Sequence, residues 1–115
     1  MRRLIKSFGY AFSGIAYTTR TQLNFQIHLV AILVVALAGW YFKLTTSEWL
    51  WVILAIGLVL VAELVNTAIE ILVDLVSPGF NEKAGKVKDV AAGAVVIAAI
   101  IAILIGALIF IPKFV

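Results

Sequence analysis

Cysteine is absent from this 115-residue chain, so disulfides and thiolate chemistry are excluded. A single histidine with no cysteine beside it also excludes the common zinc sites. Charge is scarce: 13% of the residues are Asp, Glu, Lys or Arg, against about 25% in a soluble domain. With 64% hydrophobic residues and a mean hydropathy of +1.17, that shortage reads as an integral membrane protein. No small-residue cleavage site follows a short apolar core, so no cleavable signal peptide is expected. Nothing repeats and no linker divides the chain, so residues 1–115 are expected to form one small α-helical bundle.

Three apolar runs are candidate spans, at about 24–42, 48–76 and 87–111; the first, Ile27 to Phe42, is short and reaches span length by extending back to Asn24 with its polar groups covered by protein. Ahead of them, Leu4, Ile5, Phe8, Phe12, Ile15 and Ala16 recur at helical spacing with polar residues between. This predicts an amphipathic helix over about 1–21, lying on the membrane surface, although Gly9 and Gly14 weaken it and Thr18 and Thr19 are candidate stops. Thr45, Thr46 or Ser47 is expected to cap the second span, with Glu48 favourable in its first turn. Ser77-Pro78-Gly79 is a strong break, and 79–86 is either a polar loop or the start of the last helix. Seven basic residues (Arg2, Arg3, Lys6, Arg20, Lys83, Lys86, Lys88) fall on one side of this topology and two (Lys43, Lys113) on the other. The positive-inside rule then predicts a cytoplasmic N-terminus and a cytoplasmic 77–89 loop. Lipid headgroups account for the +3 net charge, and no nucleic-acid partner is needed.

The most informative segment is Glu63 to Asp74, which directly follows the apolar run Trp49 to Ala62. On a helix, with Glu63 at zero, Asn66 falls near about −60°, Glu70 near about −20° and Asp74 near about +20°. Three acids and an amide therefore line one stripe of an otherwise apolar helix. Carboxylates at membrane depth mark functional sites. Glu63 is the deepest, and partial desolvation suits it to take a proton from a hydroxyl. Glu70 lies about 10 Å further along the axis, where magnesium and nucleotide phosphates meet a carboxylate. Asp74 and Asp89 flank the same mouth, and Lys86, Lys88, Arg3 and Arg20 are available to neutralise phosphate charge. The arrangement fits phosphoryl transfer from ATP to a lipid alcohol. No Gly-rich Walker loop or soluble-kinase signature is present, so an ATP site must be built differently.

Other readings stand beside this one. Glu63 and Glu70 can instead pair with Lys or Arg of a neighbouring subunit and hold an oligomer together. Asn66 can serve as an interhelical hydrogen-bond residue, and His28 is as open to a packing role as to a functional one. Three helices are expected to leave part of the stripe uncovered, which predicts a homo-oligomer. Gly85, Asp89 and Gly93 share a face that permits close helix approach. A catalytically silent structural or regulatory subunit and a small proton-coupled transporter are the alternatives from other classes. The transporter fits poorly because the first span carries no acid.

The run Glu63-Leu64-Val65-Asn66-Thr67-Ala68-Ile69-Glu70, then Val73-Asp74, then Lys86-Val87-Lys88-Asp89-Val90-Ala91-Ala92-Gly93-Ala94-Val95, closely resembles the prokaryotic diacylglycerol kinases and the related undecaprenol kinases. Arg3 to Phe12 and Asn24-Phe25-Gln26-Ile27-His28 match as well. The resemblance implies an all-α homotrimer of three-span subunits, each with a surface helix, in the bacterial cytoplasmic membrane. It implies composite active sites between subunits, with Glu63 as catalytic base, Asn66 supporting the reacting centre and Glu70 as a magnesium ligand. Arg3, Tyr10, Lys88 and Asp89 would contact ATP together with the Gly79-Phe80-Asn81 loop, and Ala92 would lie near the lipid. Gln22 stands where the family usually has a Glu as second metal ligand, and an amide oxygen binds magnesium more weakly. Asn81 stands where the family often has His, and an amide cannot carry a proton near neutral pH.

Overall fold

The computed structural model describes residues 1–115 as four helices and no strands: α1 (Arg2–Thr21), α2 (Leu23–Tyr41), α3 (Thr46–Val76) and α4 (Glu82–Phe114). Three of them, α2, α3 and α4, are long and apolar enough to cross a membrane. The chain is thus an all-α membrane protein with an amphipathic N-terminal helix, as its sequence predicts.

α1 continues through Gly9, Gly14 and the threonines to Thr21. The hydroxyls of Thr18, Thr19 and Thr21 donate to the carbonyls of Gly14, Ile15 and Tyr17 four residues back, so these side chains are satisfied within the helix instead of ending it. The break falls at Gln22, whose extended backbone (φ −111°, ψ 110°) both closes α1 and opens α2. Gln26 Nε2 donates to Thr19 O at 2.9 Å and ties the two helices across that joint. Thr45 proves to be the cap of α3: its hydroxyl accepts from Glu48 N, and the Glu48 carboxylate accepts from Thr45 N, forming a capping box.

α4 starts at Glu82, which resolves the 79–86 segment as mostly helix. Asn81 Oδ1 accepts from Lys83 N at 2.9 Å and Ala84 N at 3.1 Å, satisfying two of the free donors at the helix start. Between α2 and α3 the chain turns through a Schellman motif, with Leu44 N donating to Gly39 O and Lys43 N to Trp40 O. Lys43 occupies the left-handed position at φ 55°, where glycine is the usual residue.

α3 is the centre of the molecule, with α4 packed antiparallel along it and α1 and α2 meeting it more sparsely. Two ion pairs clasp the long hairpin: Glu48–Lys113 at 3.1 Å at one end and Asp74–Lys88 at 2.5 Å at the other. They are 26 residues apart on α3 and 25 on α4, a constant register over about 39 Å. α2 makes no close backbone approach to α4, so an apolar groove of about 390 Å³ opens between them over α3. The accessible surface is 8626 Å², against about 6,200 Å² for a compact soluble chain of this mass. The excess is outward-facing apolar helix, as suits surroundings of hydrocarbon or other subunits.

Candidate active site

The buried face of α3 runs through Val52, Ala55, Val59, Glu63, Asn66 and Thr67, with steps of three or four residues. The polar stripe is therefore the continuation of the helix's own packing seam. Its first half is aliphatic and its second half carries acids and amides. The seam enforces burial: Glu63 is 3% exposed and Asn66 9%, whereas Glu70 is partly exposed and Asp74 open. A single chain thus covers the deep half of the stripe without a neighbour. Three helices leave part of the stripe uncovered, as expected, and the open part is its outer end at Glu70 and Asp74.

Each acid of the stripe meets a different partner. His28 Nε2, from α2, lies 3.1 Å from Glu63 Oε1. Asn66 Nδ2 donates to Glu70 Oε1 at 3.0 Å, one turn along the same helix. Lys88 Nζ, from α4, pairs with Asp74 and also feels the Glu70 carboxylate. Neither Lys nor Arg approaches Glu63, so within the chain the pairing with a basic residue belongs to Asp74 alone among the stripe acids. The sequence left His28 as open to a packing role as to a functional one, with no partner assigned. The available signal was that two ionisable side chains, His28 and Glu63, interrupt two different apolar runs, and such groups seek each other in hydrocarbon.

One fully buried polar atom of the site stands unpaired: Asn66 Oδ1 has no hydrogen-bond partner. Such an acceptor, next to two carboxylates, is built to receive a donor from outside the chain. Glu70 Oε2 likewise has no protein partner. The charge and hydrogen-bonding groups therefore converge on the α3 face from Glu63 to Asp74, open at its Asp74 end.

The remaining residues singled out from sequence are dispersed within one chain. Arg3 and Tyr10 lie exposed on α1, and their side chains form no hydrogen bond or ion pair. Gly79 and Phe80 are exposed in the α3–α4 turn, while Asn81 spends its oxygen on capping α4 and keeps its amide group free to donate. Asp89 and Ala92 are exposed on α4. Gln22 is partly buried at the α1–α2 joint, its amide 3.5 Å from Thr21 Oγ1. No three His, Asp or Glu side chains cluster as a ready-made metal cage.

Residues 9–110 match the sequence profile of the prokaryotic diacylglycerol kinase family. An undecaprenol kinase of Bacillus subtilis is 44% identical over 113 residues, covering 98% of this chain and 92% of the relative. A diacylglycerol kinase of Synechocystis is 40% identical over 110 residues, covering 95% of this chain and 63% of the relative. The diacylglycerol kinase of Escherichia coli K12 is 29% identical over 102 residues, 89% of this chain and 84% of the relative. With the match running through all three apolar helices and the polar seam between them, the chain belongs to the prokaryotic diacylglycerol kinase family and is a membrane lipid kinase.

Proposed function

We propose that this kinase transfers the γ-phosphoryl group of ATP to the hydroxyl of a membrane lipid alcohol, with Glu63 as general base. The observation that carries the reading is the pairing of a buried, singly hydrogen-bonded carboxylate with a second, partly exposed one about 10 Å along the same helix. Glu63 accepts the hydroxyl proton. The lipid oxygen attacks the γ-phosphorus, the bond from that phosphorus to the β,γ-bridging oxygen breaks, and ADP departs. Burial keeps water from competing as acceptor. Asn66 Oδ1, next along the seam, is free to take a hydrogen bond from an ordered water.

Magnesium fits the residues present. It takes hard oxygen donors, binds through one or two carboxylates and uses substrate phosphates for the rest, and Glu70 offers a free Oε2 at the open end of the seam. Glu70 would hold it, with Gln22 as a weaker amide donor. The ion supplies charge neutralisation on the phosphates. Asn66 holds Glu70 in orientation through Oε1. Arg3, Tyr10, Lys88, Asp89 and the Gly79-Phe80-Asn81 turn would bind ATP, and Ala92 would border the lipid. These groups are spread over the surface of one chain, which favours sites completed between the subunits of a homotrimer. The excess of basic residues on one side supports a cytoplasmic N-terminus and 77–89 turn, where ATP is present.

Undecaprenol is the favoured acceptor, since the 44% identical relative is an undecaprenol kinase. Diacylglycerol is the second candidate. The test is transfer of labelled phosphate from Mg-ATP in mixed micelles to undecaprenol, to diacylglycerol and to no lipid. Glu63→Gln is expected to lower kcat by about 10²- to 10⁴-fold with the oligomer intact, the usual contribution of a general base. Full turnover by that variant would remove Glu63 from the mechanism.

A further inference from the structure

The geometry points to His28 as a positioning residue: its imidazole Nε2–H, delivered from α2, pins one oxygen of the Glu63 carboxylate and leaves the other to face the acceptor hydroxyl. The inference rests on the reading of Glu63 as base.

Glu63 is almost wholly buried, its side chain 4% exposed, and its only polar partner in the chain is His28. A carboxylate offers about four acceptor positions. Here one donor occupies Oε1 and none occupies Oε2. Asn66 Nδ2 bonds Glu70 and Lys88 pairs with Asp74, and no other side-chain donor of the seam bonds Glu63. A single directional donor therefore sets the rotation of the carboxyl group. Without it, the group would be free to turn or to point both oxygens along the seam towards the phosphate site.

The donor comes from a different helix than the base, so the base is aimed only when α2 is docked against α3. α2 is held at its far end by Gly39, which lies against Trp49 and Leu44, and makes no close backbone approach to α4. His28 itself sits in the wall of the apolar groove between α2 and α4 and is that wall's only ionisable side chain. An aliphatic chain lying in that groove would lie against the His28 side chain, which itself contacts Glu63. Occupancy of the groove and orientation of the base are thereby linked through one side chain.

The chain has a single histidine, which makes a direct test available. The full-length protein, labelled with ¹⁵N only at histidine, gives the two ring-nitrogen resonances of His28 alone. The Nε2 signal is expected in its N–H form and is expected to move when Glu63→Leu removes the acceptor, with Nδ1 little changed. In parallel, transfer to undecaprenol is measured for His28→Leu and His28→Gln. His28→Leu is expected to lower kcat at least tenfold with the KM for ATP within twofold. His28→Gln, which restores an N–H near the same place, is expected to recover kcat to within threefold of wild type. An Nε2 resonance indifferent to Glu63→Leu, or present as a bare acceptor, overturns the proposal. So does undiminished kcat in His28→Leu, or equal loss in both His28 variants accompanied by loss of the oligomer. If wild type phosphorylates neither alcohol, the reading of Glu63 as base fails, and the resonance arm still decides the pairing.

Discussion

Replacing Asn66 by leucine should separate stability from activity. The side chain makes one hydrogen bond, Nδ2 to Glu70 Oε1 at 3.0 Å, and leaves Oδ1 buried and unpaired. Side-chain bonds between membrane helices are worth about 0.6 kcal/mol on average and about 1.7 at most, and an i,i+4 pair on one helix about 0.2–0.5. An unsatisfied buried acceptor costs about 1–3 kcal/mol. Leucine forfeits the first and removes the second at similar volume. Stability should therefore rise, or fall by less than about 1 kcal/mol. Activity should move the other way. Asn66 steers the carboxylate proposed to hold magnesium, and loss of such a supporting partner typically costs about 10- to 100-fold in metal affinity or turnover. The assay pairs reversible unfolding from mixed micelles by SDS, followed by circular dichroism, with a magnesium titration of kinase activity. A loss of more than about 2 kcal/mol would mean that Oδ1 is satisfied in the membrane, by water or another subunit. An unchanged magnesium dependence would mean that Glu70 does not rely on Asn66.

Two further predictions concern the turn that holds α2. In Gly39→Ala the new methyl would lie 2.5 Å from Trp49 Cη2 and 3.0 Å from Leu44 Cδ1, an overlap expected to cost about 1–3 kcal/mol in the same unfolding assay. In Lys43→Gly the left-handed backbone at φ 55° loses its Cβ strain, and the variant should gain about 0.5–1 kcal/mol after glycine's entropic cost. An unshifted unfolding midpoint in either variant would count against the packing or the turn as described.

The sequence made the spans and the stripe legible because both depend on periodicity, which a linear reading preserves. The Thr45–Glu48 capping box was equally accessible, since its partners are three residues apart. Pairings between helices were harder to see. The sequence offered Glu63 a partner only in the alternative reading, as Lys or Arg of a neighbouring subunit, and nothing local pointed from His28 to a carboxylate 35 positions away. The start of α4 at Glu82 was written in Asn81, a strong cap type, but the nearby Pro78-Gly79 break masked it. The structure also gives Asn81 a role of its own, because histidine at that position would be a poorer cap. α1 ran past its threonines because hydroxyl bonds to carbonyls four residues back are compatible with helix. The number of subunits is a property of surfaces that a single chain exposes on all sides, and composition carries little of it.

The seam has a consequence for how such a chain is made. A newly inserted polypeptide would pay heavily for a carboxylate presented to lipid at mid-depth. Here the deepest one is enclosed by its own chain and already hydrogen-bonded. Insertion and oligomer assembly can therefore be separate events in biogenesis. A lone subunit can diffuse in the bilayer with its most costly group already hidden, leaving only the Asp74 end of the seam open.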